Sequence, residues 1–397
     1  MRVIGTSALG LRTPIIRESD DLVTIVCQTV KDAIEHQNVC INDGDIIGIT
    51  EAVVARSQGN YATIDQIAAD VKSHFAGKHV GVVFPILSRN RFAMLLKGIA
   101  RGVEKVTVML SYPGDEVGNQ LITWDDVDDK NLNPYSDCLS ESEYRRLFGE
   151  TKHRFTGIDY VSYYKSLGSN IDIILCADPK RILEYTDLVI AADIHTRFRT
   201  KRALTVAGAK KVIGLDDLLT KPVQIPGNED SGYNELYGLL GSNKATEERV
   251  KLFPRDCDAF VRKMQQALMA LSGKTVEVLI YGDGGFKDPV GGIWELADPV
   301  IALAYTSGLT GTPNELKLKY LADNNFADLS KEEARKAIEQ AIQAKAGRNQ
   351  MGKMESEGTT PRQITDLLGS LCDLVSGSGD KGTPVVLIQG YFDNYAN

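Results

Sequence analysis

The sequence lacks the short motifs that mark the best-known metal and catalytic sites. Its six cysteines, at positions 27, 40, 138, 176, 257 and 372, include no C-x-x-C pair, which argues against structural zinc and suits scattered, reduced thiols. HExxH, GxSxG and GxxxxGK[ST] are also absent. No Ser/His/Asp or Cys/His arrangement stands out, so these motifs give no sign of a zinc peptidase, a serine hydrolase or a P-loop nucleotidase.

Long apolar runs and a strong positive charge are missing as well. No apolar run approaches the ~20 residues that a spanning helix needs, and the opening "MRVIGTSALG" has no apolar core typical of a signal peptide. The net charge is −8, and basic residues occur in small clusters. We therefore expect a cytoplasmic protein that binds neither nucleic acid nor membrane.

The 397 residues exceed one typical domain and divide into three segments. Residues 1–102 and 271–397 alternate strand-like and helix-like stretches. In residues 103–270, "IDIILCAD", "DLVIAADI" and "KKVIGLDDL" are typical of short buried strands with helix-like stretches between them, and "DDVDDKN" is typical of an acidic loop. This βαβαβ alternation predicts a parallel sheet in the middle segment. For the whole chain, the three segments together predict a mixed α/β (α+β) fold with an inserted lobe at 103–270.

Two glycine-rich turns carry the clearest chemical signal. "YGDGGFKDPVGG" follows the apolar run "VEVLI" and holds Asp283, Lys287 and Asp288. Residues 376–383 follow a helical stretch and hold Asp380 and Lys381. Glycine turns let backbone N–H groups converge on phosphate oxygens, and Mg²⁺ or Mn²⁺ prefers one or two carboxylates together with phosphates. The alternative is that both turns are tight connections only.

Three other clusters have weaker signals. "SRNR" at 88–91 puts cations at a predicted helix start, where anions bind, although ordinary capping explains it equally well. His195, Arg197 and Arg199 could clamp an acidic substrate, although a single histidine at a strand end is more often structural. Glu295 and Asp298 fit a surface loop slightly better than a carboxylate cluster.

Three of these stretches, in order, resemble the F420-0:L-glutamate ligase (γ-glutamyl ligase) family. "DGDIIGITEAVVARSQGN" is similar to the family's opening signature, "EVLIYGDGGFKDPVGG" to its strand and D-T-x-G-R turn, and "GSGDKGTPVVLIQG" to its glycine loop and closing strand. The similarity covers about the first 90 and the last 130 residues and leaves the middle segment without a counterpart. It implies a dimeric ligase with its own α/β fold that uses GTP and two Mg²⁺ or Mn²⁺ ions and joins L-glutamate to an acceptor carboxylate through an acyl phosphate.

The resemblance and the glycine turns together give a set of predicted site residues. The predicted nucleotide contacts are Thr13, Pro14, Ile15, Ile16, Glu51, Ala52, Arg56, Arg89, Asn90, Ser376, Gly377, Ser378, Gly379, Asp380, Lys381, Gly382 and Thr383. The predicted metal ligands are Asp283, Gly284 and Asp288. The predicted catalytic residues are Asp283, Lys287, Asp288 and Arg56, and the acceptor contacts are His195, Arg197 and Arg199.

The sequence departs from the family pattern at two metal positions. Leu87 stands where the family has an aspartate, and Ser378 is nearest to its loop glutamate. Either Asp288, Asp380 or another carboxylate substitutes, or the site holds fewer ions, or the chemistry has changed. ATP instead of GTP, a non-catalytic protein that binds a nucleotide or phosphometabolite, and a hydrolase or transferase for a phosphorylated acid therefore stay open.

Overall fold

A computed structural model describes residues 3–227, 231–282, 302–345, 353–356, 363–376 and 380–396. The strands are β1 Ser7–Leu11, β2 Ile46–Thr50, β3 Tyr61–Thr63, β4 Val80–Val83, β5 Val106–Leu110, β6 Leu139–Ser140, β7 Ile171–Leu175, β8 Leu188–Ala191, β9 Lys211–Gly214, β10 Asn243–Thr246, β11 Arg249–Lys251, β12 Glu277–Tyr281, β13 Ala302–Tyr305 and β14 Val385–Gln389. The helices are α1 Leu22–Gln37, α2 Glu51–Ser57, α3 Ile64–Phe75, α4 Phe92–Gly102, α5 Trp124–Asp129, α6 Glu141–Phe148, α7 Tyr160–Ser166, α8 Arg197–Val206, α9 Cys257–Ser272, α10 Leu318–Tyr320, α11 Lys331–Lys345 and α12 Ile364–Val375. None of these helices is long and apolar enough to cross a membrane, within the part of the chain described.

The two ends of the chain form one five-stranded sheet in the order β1-β14-β2-β12-β13. Strands β2 and β12 run parallel, and β14 lies antiparallel between β1 and β2. Alternate residues of β2, β12 and β14 face α1 and α9 on one side and α12 on the other. Both faces are therefore buried, which explains why "IIGIT" and "VVLIQ" are apolar almost throughout. A Cβ on Gly48 would lie 2.3 Å from Cys372 Sγ, so glycine lets α12 pack directly on β2.

A six-stranded sheet has the order β6-β7-β5-β4-β8-β9, and all its strands run parallel except β6. Helices cover both faces, as the alternation in the sequence predicts. The mixed α/β fold class is thus confirmed. The sheet begins with β4 at Val80, upstream of the predicted segment boundary at 102. The division into three segments itself stays a prediction.

A small sheet, β10-β11-β3, connects the two larger ones. Strand β3 follows α2 of the five-stranded part and leads into α3, which packs against α4. A Cβ on Gly102 would lie 2.5 Å from the Ala68 carbonyl oxygen, so α3 and α4 approach closely there.

The acidic stretch after β5 is a helix, and its prediction as a loop is wrong. Thr123 caps the start of α5, and the side chains of Thr123 and Asp126 each accept a hydrogen bond from the other's backbone N–H. This capping box offsets the poor helix propensity of consecutive aspartates, because it satisfies N–H groups at the helix start.

Candidate active site

Three segments that the sequence predicts to bind nucleotide meet, at one edge of the five-stranded sheet, the strand end that leads into the predicted metal turn. Thr50, the last residue of β2, pairs with Tyr281, the last residue of β12. Val385 begins β14 and pairs with both Ile49 and Leu11. The carboxyl ends of β1, β2 and β12 and the start of β14 therefore share an edge. We name residues 12–16, 50–56, 281–282, 376 and 380–384 the ligase edge.

Backbone hydrogen bonds hold the closing glycine turn against the N-terminal segment. The Thr13 N–H donates to the Gly382 carbonyl oxygen at 3.4 Å, and Arg12 Nε donates to the Lys381 carbonyl oxygen at 3.2 Å. The Thr50 N–H donates to Pro384 at 3.0 Å. Gly382 has φ +65°, a conformation that favours glycine.

The N-terminal segment presents side chains of different exposure. Pro14 and Ile15 are exposed, Thr13 is half-buried, and Ile16 is buried in the core under α1. Asp380 and Lys381 are exposed, while Thr383 is buried against Gly10. At the ligase edge, the exposed residues Pro14, Ile15, Asp380 and Lys381 therefore lie beside a backbone that the hydrogen bonds above hold in place.

Tyr281 is a residue of this edge that the sequence reasoning missed. Its hydroxyl is buried and has no hydrogen-bond partner among the described residues. Burial raises the pKa of Tyr281 above the ordinary value, and the nearby side chains of Ser376 and Thr50 partly oppose this shift. Ser376, a predicted nucleotide contact, thereby lies beside the end of β2. The sequence does contain a signal for Tyr281 as a site residue, since a tyrosine stands at the end of an apolar strand and directly before a glycine-rich stretch.

Glu51 lies at the start of α2 and is already paired. Its carboxylate oxygens accept hydrogen bonds from Lys251 Nζ at 2.5 and 2.6 Å, and only 4% of the Glu51 side chain is exposed. The predicted contact of Glu51 with nucleotide would have to coexist with this pair. Ala52 is half-buried beside it, and Arg56 is exposed in the last turn of α2.

The residues expected to hold metal lie outside the described ranges. These are Asp283, Gly284 and Asp288, and the same holds for Lys287, Gly377, Ser378 and Gly379. The chain reaches the ligase edge at Gly282, one residue before Asp283. Among the described residues, no group of three or more His, Cys, Asp or Glu side chains is placed to hold a metal ion.

Arg89 and Asn90 lie on the six-stranded sheet, not at the ligase edge. Both are exposed in the turn between β4 and α4, where the Asn90 carbonyl oxygen accepts from the Lys244 N–H at 2.7 Å. Leu87, which stands at a family metal position, is buried in the core of this part. The stretch "ILSRN" therefore belongs to the part of the protein built on the six-stranded sheet.

The three predicted acceptor residues have different surroundings at the start of α8. Arg197 pairs with Asp216 at 2.9 Å, and both side chains are largely buried. His195 is exposed, and its backbone N–H donates to Glu116. Arg199 is exposed and lines a cleft. Of the three, Arg197 is thus engaged in a structural ion pair, whereas His195 and Arg199 face solvent.

A half-buried carboxylate, Asp115, and a buried one, Asp193, lie at the carboxyl edge of the six-stranded sheet. Burial raises the pKa of Asp115 to about 6, although N–H groups of Leu87, Val117 and Asn119 donate to it and oppose the shift. Burial likewise raises the pKa of Asp193, whose Oδ2 accepts from Thr196 and Thr200. Asp115 joins two loops, because Leu87 lies in the loop after β4. Asp193 instead ties the end of β8 to the first turn of α8.

A search among curated proteins finds no match to the chain. The model of the F420-0:gamma-glutamyl ligase family matches residues 10–390, nearly the whole chain. The match extends across the middle segment, for which the motifs alone give no counterpart. It supports a γ-glutamyl ligase activity in general, with small-molecule substrates that include glutamate. With this match over nearly its full length, the chain belongs to the F420-0:gamma-glutamyl ligase family.

Proposed function

We propose that the protein is a GTP- or ATP-dependent, divalent-metal-dependent ligase that joins L-glutamate or a similar amino acid to a carboxylate acceptor. The observation that carries the proposal is the meeting of β1, β2, β12 and the turn before β14 at the ligase edge. These are the segments that the family resemblance assigns to nucleotide and metal, and they come from widely separated parts of the chain.

The described residues supply two kinds of phosphate contact in this proposal. Backbone N–H groups of Ile15, Ile16 and residues 380–383 would bind phosphate oxygens, as glycine turns do elsewhere. Lys381 and Arg56, both exposed at this edge, would neutralise phosphate charge. Arg89 and Asn90 are left out of this assignment, because they lie on the other sheet.

Asp283 and Asp288 are the carboxylates that we assign to Mg²⁺ or Mn²⁺. A bound ion would neutralise phosphate charge during transfer. Asp283 comes directly after Gly282, where β12 reaches the ligase edge. The number of ions is left open, since Leu87 is a core residue and Glu51 is engaged by Lys251.

The proposed reaction has two steps. A carboxylate oxygen of the acceptor attacks the γ-phosphorus, so that a nucleoside diphosphate leaves and an acyl phosphate forms. The amine of glutamate then attacks the acyl carbon, inorganic phosphate leaves, and the nitrogen loses a proton to give the amide. We expect no covalent bond between enzyme and substrate.

The test compares Asp283→Asn with Asp32→Asn, which makes the same chemical change on the exposed face of α1. GTP and ATP turnover is measured with L-glutamate, Mn²⁺ or Mg²⁺, and the small molecules that co-purify with the protein, identified by mass spectrometry. Asp283→Asn should lose at least ~10²-fold turnover, the scale of one strong electrostatic contributor. Unchanged turnover with metal still bound would remove Asp283 from the proposal.

A second candidate function is nucleotide or phosphometabolite binding without catalysis. The burial of Leu87 in the core favours it, because that position then holds no metal ligand. Calorimetry with GTP and ATP, with and without Mn²⁺, separates the two functions: the ligase requires metal for tight binding and turnover, whereas the binding protein requires neither. The homodimer implied by the family is also a proposal, which light scattering coupled to size exclusion tests.

A further inference from the structure

The six-stranded sheet has its own position at which a ligand is expected. From β4 the chain continues to β5 and β7 on one side, and β8 and β9 are added on the other side. Strands β4 and β8 are therefore neighbours whose following loops leave in opposite directions. In open parallel sheets, ligands bind outside the carboxyl ends of the strands at such a switch point.

A cleft lies at this switch point. Its volume is about 780 Å³, and an adjoining part that shares Phe84, Tyr135, Ala177 and Thr196 adds about 290 Å³. Small-molecule sites typically measure about 300–1,000 Å³. The cleft is built on β4, β7 and α8 and is separate from the ligase edge.

One side of the cleft is cationic. Arg199 and Arg202, one turn apart on α8, line it together with Lys180. Both arginines are exposed, and neither has an ion-pair partner among the described residues. Lys180 pairs with Asp178, which is also in the cleft wall, at 3.4 Å. In this larger part of the cleft three cations face one carboxylate, while Asp115 and Glu116 line the adjoining part. The larger part therefore favours the negatively charged portion of a ligand.

The start of α8 is itself occupied and is not the anion site. The Glu116 carboxylate accepts hydrogen bonds from the backbone N–H groups of Ile194, His195 and Thr196, at 2.5–3.2 Å. Because this carboxylate occupies the N-terminus of α8, we expect an incoming anion to bind the side chains of Arg199 and Arg202, in the first and second turns of the helix.

Two aromatic residues, Phe84 and Tyr135, also line the cleft. Tyr135 is 70% exposed where it lines the cleft. Phe84 follows the last residue of β4 and lines both parts, with φ +56°. A bulky residue in this conformation is an outlier, and such strain concentrates at ligand sites. An exposed ring beside the cations suits a ligand with a flat ring.

We propose that this cleft is a second nucleotide site, for a nucleoside mono- or diphosphate. Its phosphate binds Arg199, Arg202 and Lys180, and its base stacks on Tyr135 and Phe84. The site requires no divalent ion, because side-chain cations supply the positive charge. It therefore stands independently of the ligase proposed above.

The test titrates the full-length protein in EDTA with AMP, ADP and orthophosphate. Fluorescence of Trp124, which lines the adjoining part of the cleft, is followed beside calorimetry. Binding of AMP and ADP is expected. Arg199→Ala with Arg202→Ala should weaken it at least about tenfold. Arg262→Ala with Lys263→Ala, two exposed cations on α9, is the matched control and should leave it unchanged.

Tyr135→Ala distinguishes a nucleotide site from a plain anion site. It should weaken AMP binding at least about fivefold, the loss of one stacked ring, and leave orthophosphate binding unchanged. Absence of AMP and ADP binding in EDTA overturns the proposal. The proposal is also overturned if the α9 control weakens binding as much as the α8 double variant does, or if Tyr135→Ala leaves AMP binding unchanged. None of these results bears on metal-dependent turnover, so the failure of one site is distinguishable from failure of the other.

Discussion

Replacement of Lys251 tests whether Glu51 mainly stabilises the fold, through its ion pair with Lys251, or mainly contacts nucleotide. Lys251 and Glu51 are 200 positions apart in the chain, and the distances from Lys251 Nζ to the two Glu51 carboxylate oxygens are 2.5 and 2.6 Å. The exposed fraction of the side chain is 12% for Lys251 and 4% for Glu51. At an effective dielectric of about 20, charges at this distance attract by about 6 kcal/mol, and desolvation offsets much of it. Loss of one partner leaves a buried charge and typically costs about 3–5 kcal/mol.

We therefore expect Lys251→Met to lower the free energy of unfolding by about 3 kcal/mol, near the low end of that range because Lys251 is partly exposed. Glu51→Gln should cost about 2 kcal/mol, since glutamine keeps one acceptor for the lysine. The double variant should be little worse than Lys251→Met alone, because it no longer buries an unpaired charge.

Urea denaturation followed by circular dichroism measures this double-mutant cycle. Lys244→Met, on the neighbouring strand β10, is the control, because its ion pair with Glu247 is largely exposed and worth at most about 1 kcal/mol. Additive effects of the two substitutions, with a coupling energy below about 1 kcal/mol, would refute the reasoning. In that case the contact of Glu51 with nucleotide would be the better explanation, and Glu51→Gln should instead weaken GTP binding.

The remaining predictions concern packing and charge. Gly48→Ala should cost about 1–3 kcal/mol by overpacking, since its Cβ would lie 2.3 Å from Cys372 Sγ, and adding Cys372→Ala should restore much of the loss in urea denaturation. The raised pKa of Asp115 means that the folded state holds its proton more tightly. Its contribution is therefore favourable below about pH 4 and is lost as the pH rises towards about 6, by up to about 3 kcal/mol; relative to the non-titrating Asp115→Asn, wild-type stability should fall over that window, and a flat difference contradicts it. Glu116→Gln should destabilise the protein by about 1 kcal/mol by removing charge from the start of α8, and an unchanged urea midpoint would show that the charge of Glu116 does not stabilise this helix.

The sequence predicts local structure well where one pattern decides it. The helical spacing over 22–37 gives α1, and Asp21 caps it by accepting a hydrogen bond from the Thr24 N–H. The apolar runs give β2, β7, β8, β9 and β14. The acidic stretch is the counterexample, since the capping box of Thr123 and Asp126 outweighs the composition of "DDVDDKN".

Family membership was also accessible from the sequence, because the glycine turns and strand ends that carry it are local patterns. The partners of individual side chains were not. Cys138 and Cys176, expected to be scattered, come close together because β6 pairs antiparallel with β7 through Leu139 and Leu175. Arg197, predicted to clamp an acceptor, forms an ion pair with Asp216, a partner that no local pattern indicates.

Sequence alone thus determined α1 and the strands β2, β7, β8, β9 and β14, and that the ends of the chain carry the ligase pattern. The tertiary structure decided that residues 12–16, 50–56 and 380–384 share one edge, that "ILSRN" belongs to the other sheet, and that Lys251 neutralises Glu51. The physical reason is that strand order and burial join residues far apart in the chain. The charge and exposure of a side chain depend on those neighbours, and local patterns of residues do not contain them.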